Sequence, residues 1–240
     1  FQGNAGMQMT LLKLLDRHNG EMKARVGVDR APTTLSTYLF TYRTLSEFIK
    51  AKFKVPDLVF GQLNEQFIRD YQDFCLEKKK LAMETERHYL SILKKICRIA
   101  YKEGHSEKYH FCHFKLPKQK ETTPKALSRE NLEKLRDLEI PEKRRSHVIT
   151  RDLFLFACYT GTAYADAVSI TRENLFRDDE GSLWLKYRRK KTDYLGRVKL
   201  LPEALALIEK YRDDPRTPLF PPQDYHTLRA NMKSLRLMAG

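Results

Sequence analysis

No window of the 240-residue chain approaches the roughly 18 uninterrupted apolar residues that a membrane span requires. Nothing near its start reads as a secretory signal either. Residues 1–6 (FQGNAG) look like a protease-site and vector scar and stay outside the fold reasoning. Cysteine is scarce: Cys75, Cys97, Cys112 and Cys158 form no C-x-x-C pair and no disulfide-like rhythm. That suits reduced thiols in a cytoplasm. His105, His110, Cys112 and His113 are irregularly spaced and have no second half, so they do not make the paired ligand set of a zinc site. Repeats and low-complexity tracts are absent. Acidic residues are in deficit, with 31 Asp+Glu against 45 Lys+Arg for a net charge of +14.

That surplus, with a pI near 9.6, points to a polyanionic partner, most often nucleic acid. Apolar residues at 41% and aromatics at 11% supply a core and exclude disorder as the state of the whole chain. The length suits two modest domains.

Apolar residues cluster at Met9, Leu11, Leu12, Leu14 and Leu15, so 7–26 reads as a short helix, the trailing end of something larger. Leu35, Tyr38, Leu39, Tyr42, Leu45, Phe48 and Ile49 recur at three and four behind a cap at Thr33 or Thr34. Leu63, Phe67, Ile68, Tyr71, Phe74 and Cys75 mark a second helix that stops at Lys78–Lys80. A third begins at a cap, Thr85, passes through Tyr89, Ile92, Ile96 and Ile99, and ends on Gly104.

The polar, basic, Pro-containing stretch that follows is the best linker in the chain. Beyond it, Leu127–Ser128 opens a capped helix in which Leu127 and Leu132 hold the positions of a hydrophobic staple. Residues 148–159 are nearly all apolar, Gly161 breaks that helix, and 163–170 form a short second one. The only convincing β signal is a hairpin of 183–187 and 197–201 around a turn at 192–196. Pro202 starts a further helix, 213–222 form a Pro-rich loop, and a last helix begins near Tyr225.

Three regions invite a phosphate. Thr34, Thr37, Tyr38 and Arg43 sit near one helix start, and Thr85, Arg87, His88, Lys94 and Lys95 near another. A helix N-terminus offers free N–H groups and a positive dipole end, and nearby cations add to it. Lys118 and Lys120 charge the linker. The third region is Arg188-Arg189-Lys190-Lys191-Thr192 on a strand entering a turn. Alternation there puts Arg189 and Lys191 on the face of Tyr187, and Arg188 and Lys190 on the other. A solvated helix face, or a basic edge strand that discourages aggregation, is the plainer alternative.

The order of motifs resembles a known family. Thr34-x-x-x-Tyr38 is followed by the helix from Thr85, a linker and Leu127-Ser-x-Glu-x-Leu132. Tyr159-Thr-Gly-x-x-x-x-Asp166, the Lys191-Thr192 hairpin and Leu201-Pro202 complete it. This looks like a tyrosine recombinase of the phage-integrase family, closest in wording to integrases of Bacteroidetes mobile elements.

The resemblance implies a mainly α chain. A helical, SAM-like core-DNA-binding domain (31–116) follows an N-terminal helix and linker (7–30). A linker (117–126) then leads to the opening part (127–240) of an α+β catalytic domain with a small antiparallel sheet. It implies DNA cleavage and rejoining through a 3′-phosphotyrosine, with duplex DNA clamped between the domains. The full-length protein would work as a tetrameric synapse, and this piece would be a monomer. A bacterial cytoplasmic, nucleoid-associated setting and no metal or other cofactor are also implied.

Residue by residue, Lys191 matches the family's hairpin lysine, the usual general acid that protonates the leaving 5′ oxygen. The family's first arginine, two places after Thr-Gly, is Ala163 here. Another cation must supply that charge: Arg189 is the candidate, with Arg151 and Arg172 next. His226-Thr-Leu-Arg229 matches the family's His-x-x-Arg box by letter, yet Ala230-Asn231 follows it and only 35 residues separate it from Lys191. It reads as a helix before the box, with box and nucleophile both missing. A non-catalytic duplex-DNA-binding accessory protein of the same architecture is the alternative, and an RNA-binding helical protein a weaker one.

None of the twelve tyrosines follows a His-x-x-Arg box in the family's order. Incubation with a nicked suicide substrate is therefore expected to trap no covalent adduct. A phosphotyrosine link to any residue of 7–240 would overturn this reading of the chain.

Overall fold

A computed structural model describes residues 8–118, 126–213 and 218–240 and divides the chain into two units, Phe1–Thr122 and Thr123–Gly240. The architecture is mainly α-helical with one small antiparallel sheet, as the sequence leads one to expect.

The first unit holds four helices: α1 (Leu11–Ala24), α2 (Pro32–Phe53), α3 (Glu65–Asp73) and α4 (Met83–Lys102). Helix α1 is an integral part of this core. Leu11, Leu12, Leu14 and Leu15 are buried beside Leu45, Ile49, Leu90 and Ile96, each such side chain contributing roughly 1.5–3 kcal/mol. Its first turn is capped from a distance, because the Asp57 carboxylate accepts from the Leu12 and Lys13 N–H groups at 3.0 and 3.2 Å.

Phe48 is the aromatic hub. Its ring centroid lies 5.3 Å from Phe67, 5.4 Å from Tyr71 and 5.5 Å from Phe74, within the range of favourable ring pairs. Asn64 caps α3 through the Phe67 N–H, and α3 passes into a wider turn over Phe74–Lys78.

Two expected caps fall elsewhere. Helix α2 starts on Pro32, with Ala31 as its cap residue, because a proline at the first helical position gives up only an N–H that would be unpaired anyway. Helix α4 starts at Met83 behind Ala82, so Thr85 lies inside the first turn and is not the cap.

The second unit contains α5 (Arg129–Arg136), α6 (Arg145–Thr160), α7 (Tyr164–Ala167), α8 (Pro202–Lys210) and α9 (Tyr225–Ala239) around a three-stranded sheet. Its strands β1 (Leu175–Arg177), β2 (Leu183–Arg188) and β3 (Leu195–Lys199) run antiparallel in the order β1-β2-β3. Ser128 caps α5 by accepting from the Asn131 N–H, although Leu127 stays half exposed. Gly161 ends α6 at φ 66°, where a side chain would be strained.

Phe156, Leu153, Leu185, Ala204 and Phe220 share the core. Helix α6 also carries a buried carboxylate, Asp152, which accepts from Lys210 Nζ at 2.5 Å and Tyr211 Oη at 2.8 Å. Buried Asn231 on α9 donates to Thr150 Oγ1 and Ser146 Oγ on α6.

The hairpin differs from expectation. The turn spans Arg189–Tyr194, closed by Arg189 N–H to the Tyr194 carbonyl at 2.8 Å, with Asp193 at φ 54°. Gly196, expected in the turn, lies in β3 opposite Tyr187. A Cβ there would stand 2.8 Å from Tyr187 Cε1, so this glycine serves a crossing ring. The short helix expected over 163–170 is also one turn only.

One buried acid in the first unit lacks partners. Glu86 is 1% exposed and neither of its oxygens completes a hydrogen bond. Burial raises its pKa, with Gln72 offsetting part of the rise. A raised folded-state value means stability that is full below the ordinary carboxylate pKa and is lost as pH rises through the folded one. Glu86→Gln is therefore expected to melt several degrees above the wild type at pH 7–8, with the gain gone by pH 4. Melting curves across that range check it: an equal gain at every pH would show that ionisation is not the cause.

Candidate nucleic-acid interface

In the first unit, α2 and α4 present the expected residues on particular faces. At 100° per residue, Thr34, Thr37 and Tyr38 share one side of α2, while Arg43 lies on the other. Arg43 stacks on Phe40, 5.5 Å from guanidinium carbon to ring centroid, so it does not join the Tyr38 face. The Thr37 hydroxyl turns back to the Thr33 carbonyl at 3.1 Å, and Thr34 stays exposed.

Tyr38 meets α4 and α1 at one point. Lys95 Nζ donates to Tyr38 Oη at 3.1 Å and lies 3.2 Å from His18 Nε2. Burial and the Lys95 charge both lower the His18 pKa, which favours a neutral ring able to accept from the ammonium. His88 and Lys95 are exposed, while Thr85, Arg87 and Lys94 are half-buried. Arg87 Nε donates to the Pro117 carbonyl at 3.1 Å and so holds the chain just before exposed Lys118. Lys120 lies outside the described residues.

The two helix starts are not electrostatically alike. Glu84 and Glu86 occupy the first turn of α4, whereas the first turn of α2 carries no acid. Carboxylates there already complement the positive dipole end. The start of α2 therefore keeps an uncompensated positive dipole end and that of α4 does not, a difference that the two similar sequence patterns do not show.

In the second unit the hairpin tip is fixed by Asp166, which is 3% exposed. Its Oδ1 accepts from the Lys190 N–H at 2.9 Å, and its Oδ2 lies 4.0 Å from Arg189 Nε. Asp166 sits on α7, whose cap residue is Ala163. Arg188 is turned to its own loop by Asp193 at 3.1 Å. Among the described residues, nothing engages the ammonium groups of Lys190 and Lys191, and Lys191 and Thr192 are exposed in the turn.

Strand alternation thus ends at Arg188 and cannot group Arg189 with Lys191. What groups Arg189 with α7 is Asp166. Its position was visible in the Thr-Gly-x-x-x-x-Asp spacing, but its part in holding the tip was not. Arg151 and Arg172 are engaged elsewhere, on the Leu138 carbonyl and on the Tyr211 and Arg212 carbonyls. His226 and Arg229 lie exposed in the first turns of α9. Among the described residues no three His, Cys, Asp or Glu side chains gather as a metal site, and no helix is long and apolar enough to cross a membrane.

Residues 10–116 match the family model of the phage integrase SAM-like domain. No curated protein matches the sequence. Among solved structures, a lambda integrase dimer bound to a COC′ core site superposes with a TM-score of 0.73 at 18% identity, over 97% of this chain and 82% of that one. XerH recombinase bound to difH in a pre-cleavage complex gives 0.66 at 16%, over 95% and 68%. The Tn1549 transposon integrase bound to transposon right end DNA gives 0.63 at 12%, over 90% and 72%. The chain therefore has the fold of these DNA-bound integrases and recombinases.

Asp166→Ala is expected to free the tip without unfolding the sheet. Removing a charged acceptor from a buried hydrogen bond costs about 1.5–3 kcal/mol. Hydrogen exchange at the Lys190 amide should accelerate while that at Leu185, inside β2, stays slow. Unchanged protection at Lys190 would show that Asp166 does not hold the tip.

Proposed function

We propose that the chain serves site-specific DNA recombination as part of a tyrosine recombinase of the Bacteroidetes mobile-element type. In this reading 31–116 bind the recombination core site, the lysines of the basic segment 117–126 add charge to that binding, and 127–240 belong to the strand-cleaving unit. The SAM-like first domain and a fold matched by lambda integrase, XerH and the Tn1549 integrase, each solved on DNA, support duplex DNA as the partner.

The observation that carries the proposal is the tip. A buried carboxylate clamps its backbone at Lys190 and leaves the neighbouring lysine exposed at the position that resembles the family's general acid. Attack on a phosphodiester builds negative charge on the non-bridging oxygens, and the departing 5′ oxygen needs a proton. Lys191 supplies the proton. Arg189, drawn toward the helix that begins after Ala163, supplies the charge that an arginine at 163 would have given. In this reading the 240 residues bind the duplex as a monomer, and none of their twelve tyrosines acts as the nucleophile.

Duplex binding should show steep salt dependence, with each phosphate contact contributing about −0.9 to the slope of log K against log salt. Competition with structured RNA should leave the duplex complex intact, and an affinity flat between low and moderate salt would sink the proposal. In a preparation that also carries the His-x-x-Arg box and the tyrosine, Lys191→Ala should slow cleavage roughly 10²–10⁴-fold with little loss of binding. Arg189→Ala should do likewise and Arg188→Ala much less. Normal cleavage by Lys191→Ala would show that another group protonates the leaving oxygen, whereas duplex binding with no cleavage in such a preparation would favour the non-catalytic reading instead.

A further inference from the structure

The outer face of the sheet carries a charge pattern that neither the hairpin tip nor the helical unit uses. Pairing sets Lys186 directly opposite Arg197 and Trp184 opposite Lys199. Side chains two apart on a strand share a face, so Lys186 and Arg188 on β2 align with Arg197 and Lys199 on β3. All four are exposed. The opposite face, with Leu183, Leu185 and Tyr187, belongs to the core.

Like charges directly opposite one another destabilise an antiparallel pair, while opposite charges stabilise it. A basic edge strand alone would discourage aggregation, but that does not require Lys186 on the central strand to stand opposite Arg197. Here Arg188 is answered by Asp193, but among the described residues no carboxylate comes within ion-pair distance of Lys186, Arg197 or Lys199. Glu173 borders the same shallow groove without forming an ion pair. Asp178, beside Lys199, is already committed to Trp184 Nε1 at 2.7 Å and two backbone N–H groups.

We propose that this face binds the phosphate backbone of duplex DNA, as a second contact strip that continues from the hairpin tip through Arg188 to Lys186 and Arg197. An extended polyanion matches a row of cations spaced two residues, about 6.8 Å, along each strand. Bringing it to the face converts the repulsion between Lys186 and Arg197 into shared attraction. Lys186–Arg197 is the centre of the strip, and the Phe176–Trp184 ring pair closes its far end. The inference rests on duplex DNA being the partner.

The test compares the wild-type chain with Lys186→Gln/Arg197→Gln for binding to a duplex and to a single strand of the same sequence, across salt. The expected result is a duplex slope shallower by about 1.8, because two phosphates are no longer neutralised, with a melting temperature equal to or above that of the wild type. Lys186→Arg should keep the wild-type slope. If the double variant does not fold, Lys186→Gln alone should make the slope shallower by about 0.9. Wild-type duplex affinity and slope in a folded variant would overturn the inference and leave only a solubility role for the face. So would a weakening confined to the single strand. A wild-type chain that binds no duplex would overturn the functional reading along with it.

Discussion

The hairpin tip stands where it does because a negative charge is buried beneath it. Asp166 is almost wholly removed from water, and a carboxylate so placed is tolerable only when donors surround it. The Lys190 N–H donates to it at 2.9 Å, and the Arg189 guanidinium, 4.0 Å away, supplies the counter-charge. A loop carrying three consecutive cations would otherwise repel itself outward from the sheet. The carboxylate converts that repulsion into a fixed position, and Gly161 and Ala163 bring it there by ending α6 and starting α7 in a tight corner.

Asp152 plays a comparable part at another junction of the same unit, accepting from Lys210 and Tyr211 to join α6 to the end of α8. The helical unit is held differently. Its aromatic cluster around Phe48 supplies cohesion, and its deeply buried carboxyl, Glu86, completes no hydrogen bond among the described residues. The first unit is thus held mainly by apolar burial, while the second is held in addition by polar groups that fix particular loops.

Most of the helices could be read from the spacing of apolar residues, because each buries one stripe. What was illegible follows from contacts distant in sequence. The cap of α1 comes from Asp57, forty-four residues beyond Lys13, so no local motif announces it. The strand Leu175–Arg177 is too short to show alternation and exists because β2 pairs with it. Gly196 looked like a turn residue, since glycine usually marks one, but its lack of a side chain is required by the Tyr187 ring across the pair. The turn therefore begins about three residues earlier than a turn glycine at 196 would imply, and Arg189 and Lys191 lie in it, beyond the end of β2. The grouping of Arg189 with the Ala163 corner has a different basis, the Asp166 carboxylate.

Because the shortest hold on the tip is through the main-chain N–H of Lys190, that bond does not depend on which side chain Lys190 displays. Residues on either side can change in size or charge while the loop keeps its place over α7. Side-chain chemistry and loop position are therefore separable inheritances in this protein. A cation can be gained or lost on the loop without the scaffold being rebuilt.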